Sequence, residues 1–339
     1  MPAHRLPTAA ALLTAAAVAT SAAYAPPAAA QDDVILTDPR ITESSGLAAS
    51  RQHDDVYWTH NDSDDGPYVY AVDGGTGETL ATITLRGIGE PRDVEAISLG
   101  PDNQLYVGDI GDNMGGSWSY VWIYRFPEPE QLKDATVDAV QYEAQYEDGP
   151  RDAEALMVHP KTGRVYVVSK KEDGGAALYA GPEDLSTGSM NIFRRVAPIN
   201  LWVTDGAFSP DGTRMALRSY VGGRMYRFEN GKPAEDGRLD VPLQRQGESM
   251  TYTADGSAIV FGSEGEQSDL IRREAEGGGD SSGDGSDGSG GSGDGSGDGA
   301  GGAGDDEGRG PVKTVLLVAG GIGAVVGLRK LLARRPRPD

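Results

Sequence analysis

The chain has 339 residues, no cysteine, 52 acidic against 30 basic side chains and a formal net charge of -22. Disulfides, thiolate metal sites and cysteine nucleophiles are thereby excluded. The acidic balance argues against a general nucleic-acid binder, which needs clustered Lys and Arg along a phosphate backbone.

Residues 1–30 begin with His4 and Arg5, continue as an apolar Ala/Leu/Val run from about Ala9 to Ala19, and carry small residues at Ala28 and Ala30. This is the layout of a secretory signal peptide, with cleavage expected between Ala30 and Gln31. From 31 to 276 the chain alternates short apolar runs with Gly, Pro, Asp and Asn turns and has no long amphipathic helix, the pattern of an all-β domain. A first strand is expected at Asp33–Thr37. Second strands are expected at Val56–His60, Gln104–Gly108, Val165–Ser169, Arg214–Arg218 and Ala258–Gly262. Third strands are expected at Tyr68–Val72, Val121–Phe126, Ala177–Ala180 and Met225–Phe228, and Val137–Tyr146 reads as the outer strand of the second unit.

One signature recurs through this region: Ser45-Gly-Leu-Ala-Ala, Glu95-Ala-Ile-Ser-Leu, Glu154-Ala-Leu-Met-Val, Asp205-Gly-Ala-Phe-Ser and Glu248-Ser-Met-Thr-Tyr, at intervals of 50, 59, 51 and 43 residues. That period, with four strands per unit, is the period of propeller blades. Five blades are expected, closed by pairing the N-terminal strand with the last one at Asp269–Arg272, which removes two exposed edges. Six stays open, because the longest interval can conceal extra strands.

Residues 277–310 are almost wholly Gly, Ser and Asp, a composition that cannot bury enough apolar surface to offset ordering entropy, and they read as a disordered tether. Residues 311–333 contain the uncharged run Thr314–Leu328. The run is short against the ~20 residues that usually span a bilayer, but Leu331, Leu332 and snorkelling basic side chains extend it. The basic tail at 334–339 then sets the orientation, tail in the cytoplasm and propeller outside, as a single-pass protein of the cell membrane. Ala319, Gly323 and Gly327 recur every fourth residue and would allow weak helix dimerisation.

Ser209-Pro-Asp-Gly212, with weaker echoes at Gly100-Pro-Asp-Asn103, His159-Pro-Lys-Thr-Gly163 and Ala254-Asp-Gly256, resembles the inner hairpin of bacterial WD-repeat and TolB-like propellers. Asp93-Val-Glu-Ala96 and Gly108-Asp-Ile-Gly-Asp-Asn113 are similar to segments of secreted propeller proteins of actinobacteria. The resemblance covers roughly Ile41 to Glu264 and implies a fold rather than an activity, since propellers host unrelated functions. The Trp-Asp dipeptide of true WD repeats is missing, which weakens any analogy to intracellular scaffolds.

In a propeller the inner-strand starts and the second-strand exits meet at one face of the channel. The starts are Glu43, Asp93, Glu95, Asp152, Glu154, Asp205 and Glu248; the exits include His60 to Asp64, Asp109 to Asn113, Lys170 and Arg218. Glu95, Glu154, Asp205, Glu248, Lys170 and Arg218 are therefore the candidate funnel residues. Crowded carboxylates repel one another unless a cation neutralises them, and calcium takes six to eight oxygens. Asn61, Glu95, Asp109, Asp112, Asn113 and Glu154 are the candidate ligands. Caps on the turns, or pairing with Arg92 and Arg151, would explain the same acids without a metal. Histidine pairs suited to zinc are absent from the sequence, and no Gly-x-Ser-x-Gly elbow marks a serine nucleophile within 31–276. Trp118, in the loop Gly115-Gly-Ser-Trp-Ser, is the tryptophan expected to be exposed. The expected function is a membrane-anchored extracellular module that binds a ligand or a partner protein. The alternative is a metal-dependent hydrolase of a phosphoester, ester or lactone, with Glu95 or Glu154 as base and Lys170 or Arg218 stabilising developing charge.

Overall fold

A computed structural model describes residues 33–63 and 65–275 of the protein. Their regular structure is entirely β. β1 (Val34–Ile35) is followed by a meander of β2 (Ser44–Ala49), β3 (Val56–Asn61), β4 (Tyr68–Asp73) and β5 (Thr79–Arg86). Next come β6 (Val94–Leu99), β7 (Gln104–Asp109), β8 (Val121–Pro127), β9 (Ala135–Asp138) and β10 (Val140–Tyr146). β11 (Ala153–Val158), β12 (Val165–Ser169), β13 (Ala176–Ala180) and β14 (Asn191–Ile199) make another antiparallel meander, as do β15 (Asp205–Phe208), β16 (Arg214–Ser219), β17 (Gly222–Glu229) and β18 (Lys232–Leu239). The last sheet joins β19 (Gly247–Tyr252), β20 (Ala258–Ser263) and β21 (Asp269–Glu274) to β1, with Val34 opposite Leu270 and Ile35 opposite Asp269. The expected closure by the N-terminal strand is therefore present.

The inner strands pack in a closed cycle: β2 on β6, β6 on β11, β11 on β15, β15 on β19, and β19 back on β2. Their far ends surround one small cavity lined by Leu47, Ile97, Val158, Phe208 and Tyr252 among others. Antiparallel meanders arranged radially about a channel are a β-propeller. Apolar clusters fill the seams between neighbouring sheets. Trp58, Ile83, Val107 and Phe126 occupy one seam, Ile123, Leu156 and Tyr179 the next, and Met157, Leu178, Leu217 and Phe228 the one after. Met225, Met250 and Phe261 fill a further seam, and Leu36, Leu47, Val72 and Val260 close the circle. A strand between two seams is buried on both faces, which is why β12 and β13, and β11 after Glu154, read as near-continuous apolar runs rather than as alternating ones. The outermost β18 (KPAEDGRL) is charged and exposed, a composition that blunts an edge.

The hairpin motifs form as expected. In Ser209-Pro-Asp-Gly212 the Gly212 N–H donates to Ser209 O at 2.8 Å, the Thr213 N–H donates to Asp211 Oδ1 at 3.0 Å, and Gly212 has φ 75°. Asn103 and Gly256 take the same left-handed conformation in their own turns, with φ 55° and 73°. Asparagine and glycine tolerate it best.

One expected strand is corrected. Val137–Tyr146 is broken at Ala139, whose N–H donates to Arg86 O at 2.8 Å. β9 turns away to run parallel to β5, from Ile83 opposite Ala135 to Arg86 opposite Asp138, while β10 pairs antiparallel with β8. The stretch thereby covers the outer edge of one sheet and completes the next, so neither is left open. β10 also runs parallel to β14, which merges two units into a single eight-stranded sheet.

The expected signal peptide at 1–30, the tether at 277–310, the membrane helix at 311–333 with Ala319, Gly323 and Gly327, the tail at 334–339, and Asp64 all lie outside the described residues.

Candidate functional site at the channel mouth

Four inner strands start with a shift in pairing register: between Ser44 and Leu47, Val94 and Ala96, Ala153 and Ala155, and Gly247 and Ser249. Glu95, Glu154 and Glu248 each sit within such a bulge. A bulge leaves one residue outside the ladder and re-aims its side chain, and here it collects carboxylates at one end of the channel. All three are at most 4% exposed.

Their environments differ. Lys170, leaving β12, places Nζ 2.6 Å from Glu154 Oε1 and 3.4 Å from the Tyr220 hydroxyl. Burial works against the ammonium, yet the carboxylate of Glu154, with Tyr220, Glu248 and Glu95 further out, carries the Lys170 pKa well above its ordinary value. The cation is locked on. Across the channel the Ser45 hydroxyl donates to Glu248 Oε2 at 3.2 Å.

Asp62, Asp93 and Glu95 form a buried group in which a carboxylate oxygen from each lies within 4.8 Å of the others. Backbone bonds fix their positions. The Val94 N–H donates to Asp62 O at 2.8 Å, tying the exit of β3 to the start of β6, and the Gly111 N–H donates to Asp93 O at 3.1 Å. The Asn113 amide donates to both Asp93 oxygens, at 3.3 and 3.0 Å. Gly111 has no room for a side chain: a Cβ there would stand 2.6 Å from Glu95 Oε1 and 2.8 Å from Asp93 Oδ2. Oxygen donors at this spacing suit a hard divalent cation, and three carboxylates in one buried place need positive charge or protons to coexist.

Of the six ligands expected from sequence, Glu95 is in this group and Asn113 borders it. Glu154 is paired with Lys170 instead. The other three are held elsewhere. Asn61 accepts from the Thr42 and Glu43 N–H groups at 2.9 and 3.0 Å and donates to Arg40 O and Asp65 Oδ2 at 2.8 and 2.7 Å, which uses its full amide capacity. Asp109 accepts from the Arg92 and Asp93 N–H groups at 3.0 and 3.1 Å and from the Tyr124 hydroxyl at 2.6 Å. Asp112 accepts from Ser117 N, from Ser117 Oγ at 3.0 Å and from Trp118 N at 2.6 Å, so it shapes its own loop.

Asp205 and Arg218 face one another across β15 and β16 in regular register. Asp205 accepts from the Gly206 N–H at 2.7 Å and, on the neighbouring inner strand, from the Met250 N–H at 2.7 Å. Burial raises its pKa well above the carboxylate range despite those bonds and Arg218. Arg218 is fully buried and donates to Ser249 O at 2.7 Å, Gly262 O at 3.0 Å and Gln244 Oε1 at 3.3 Å. Burial draws its pKa down to about 10, although Asp205, Glu248 and Asp269 favour the charge. This pair fastens two sheets together and presents no polar group to a ligand.

Asp62 and Asp93 were legible only as members of the two converging sets. Choosing them over Asp109 and Asp112 needs the backbone donors around each carboxylate, which no spacing rule supplies.

No protein-family model and no curated protein sequence matches the chain. Among solved structures it is similar to the soluble aldose sugar dehydrogenase from Escherichia coli in the apo form, at 10% identity and TM-score 0.46, over 72% of this chain and 98% of that one. It is also similar to a gluconolactonase from Xanthomonas campestris, at 14% identity and TM-score 0.42, over 69% and 76%. A chain of the mitotic checkpoint complex matches at 12% identity and TM-score 0.38, over 68% of this chain and 60% of its own length. Likenesses this weak carry no argument about activity, and the propeller architecture rests on the chain's own sheet order.

Proposed function

We propose that the protein is an extracellular, membrane-anchored propeller of five blades whose channel mouth holds a calcium ion and binds a ligand or partner protein there. The observation that carries this reading is the buried group of Asp62, Asp93 and Glu95, with ligand oxygens within 4.8 Å of one another. Calcium is favoured over softer metals because every ligand is a carboxylate oxygen, and carbonyl oxygens and water would complete its shell. The cyclic packing of the inner strands supports the blade count. The apolar run with its basic flank after the tether, and the signal-peptide layout at the start, support the location.

Binding is favoured over hydrolysis by how the charged groups are used. Glu154, a candidate base, is tied to Lys170 at 2.6 Å, and Glu95 belongs to the proposed ion site. Arg218 is fully buried.

The test is a thermal melt of the full chain in EDTA and in millimolar calcium, because a ligand bound only by the native state raises its stability. A calcium-dependent rise that disappears in the Asp93→Asn, Glu95→Gln double variant is the expected result; no rise in the parent chain overturns the reading. Calcium-dependent turnover of an ester or lactone, lost in Glu95→Gln, would replace binding by hydrolysis.

A further inference from the structure

A second site uses none of the proposed ion ligands and lies where the start of β8 meets the end of β10 and the loop that follows it. A cavity of about 320 Å³ there is lined by Trp118, Ser119, Tyr120, Gln145, Glu147 and Pro150 in particular. Its volume is at the lower end of the ~300–1,000 Å³ of small-molecule clefts.

The aromatic side of this cavity is held in place. The Arg92 guanidinium is sandwiched between the rings of Trp118 and Trp122, its carbon 4.1 and 3.8 Å from their centroids. The Trp118 backbone is fixed by its bond to Asp112, and Asp112 is fixed in turn by the bond from its own N–H to Asp152 Oδ1 at 2.9 Å. The loop closes tightly on the connection between β10 and β11: a Cβ at Gly116, whose φ is 87°, would stand 2.6 Å from Pro150 O. Trp118 is thus a half-buried ring on a rigid mount, which lowers the ordering cost of binding against it.

The polar side is available. The side chains of Ser119, Tyr120 and Gln145 make no hydrogen bond to another described residue, and between them they offer two hydroxyls and an amide. The charged lining residue, Glu147, is already engaged: it accepts from the Arg195 N–H at 2.8 Å and lies 3.5 Å from Arg194 Nη1. The cavity therefore presents aromatic surface, hydroxyls and an amide, without uncompensated charge. A ring that is apolar on its face and carries hydroxyls around its edge matches that lining; an ionic ligand does not.

We propose that this cavity is a binding site for neutral oligosaccharide, with a sugar ring against Trp118 and Tyr120 and its hydroxyls on Gln145 and Ser119. The site shares no residue with the proposed ion ligands Asp62, Asp93 and Glu95, so binding is expected there with or without calcium. Titration calorimetry of the full chain with cellotetraose, maltotetraose and tetra-N-acetylchitotetraose tests it, each sugar run in calcium and in EDTA. At least one of the sugars is expected to bind saturably in both media. Trp118→Ala should weaken that binding about tenfold or more, since aromatic anchors dominate such contacts. Gln145→Ala leaves the Arg92 stack intact and should weaken it too, which guards against a misfolded Trp118 variant. Trp202→Ala should leave it unchanged. The proposal is overturned if none of the sugars binds at millimolar concentration, if binding survives both Trp118→Ala and Gln145→Ala, or if decaproline binds the cavity and the sugars do not.

Discussion

Replacing Lys170 by methionine isolates the charge balance of the channel mouth. The ammonium sits 2.6 Å from Glu154 Oε1; the Lys170 side chain is 15% exposed and that of Glu154 2%. Methionine keeps most of the volume and removes the charge, leaving Glu154 buried with Glu248 and Glu95 as its acidic neighbours. Removing one partner of a buried ion pair costs about 3–5 kcal/mol, and the residual exposure of Lys170 places this case near about 3 kcal/mol. With a urea slope of about 1–3 kcal/mol/M, the unfolding midpoint should fall by about 1 M or more at neutral pH. Adding Glu154→Gln should recover most of the loss, because the stranded charge goes with it. The parent chain has a matching pH dependence. The Lys170 pKa is raised on folding, so its contribution is complete below the ordinary lysine pKa of 10.5 and fades as pH rises through the folded value. A loss below about 1 kcal/mol, the size of a surface pair, or a double variant no more stable than Lys170→Met, would refute this reasoning.

Burial holds the His60 pKa down to about 4 from 6.5, so folding is favoured above pH 6.5 and stability is lost as pH falls toward 4; His60→Gln should flatten that limb by up to about 3 kcal/mol, read as the difference between denaturation curves at pH 7 and pH 4. Gly111→Ala should abolish the calcium-dependent rise in melting temperature, because its Cβ would stand 2.6 Å from Glu95 Oε1, and an unchanged rise would contradict the placement of the ion. Starting the chain at Asp38 removes β1 and the buried side chains of Val34 and Leu36, at a cost of about 3–5 kcal/mol by denaturant titration. If the proposed orientation is right, protease added to intact cells should cleave the propeller from them, and cleavage only after lysis would contradict it.

The propeller was legible in the sequence because its repeat is written in backbone chemistry. The Pro-Asp-Gly and Pro-Asp-Asn turns, and the small or acidic residue ahead of each inner strand, mark the units without reference to packing. The closing strand was legible by counting strands. The split at Ala139 was not, because β9 and β10 form one alternating run whose assignment to two sheets is decided by the partner edges. The site was half legible. Glu95 holds the same place in the sequence repeat as Glu154, Glu248 and Asp205, yet these four carboxylates meet four fates: a proposed ion ligand, an ion pair with Lys170, a hydroxyl partner in Ser45, and a strap to the Met250 backbone. Burial and nearby donors make that choice, and both are properties of the folded chain. Asp109 and Asp112 illustrate the converse, acids in a promising motif whose oxygens are claimed by other donors, the Arg92 and Asp93 N–H groups and the Tyr124 hydroxyl for Asp109 and its own loop for Asp112.

Equilibrium dialysis of calcium against the full chain tests the central claim most directly, with the Asp62→Asn, Asp93→Asn, Glu95→Gln triple variant as comparison. Both proteins share residues 277–310 unchanged, so any ion taken up by those aspartates cancels and the difference reports the channel mouth. We predict one saturable ion per chain in the parent and none beyond the common background in the variant; equal saturable binding by the two, or none by either, would contradict the account.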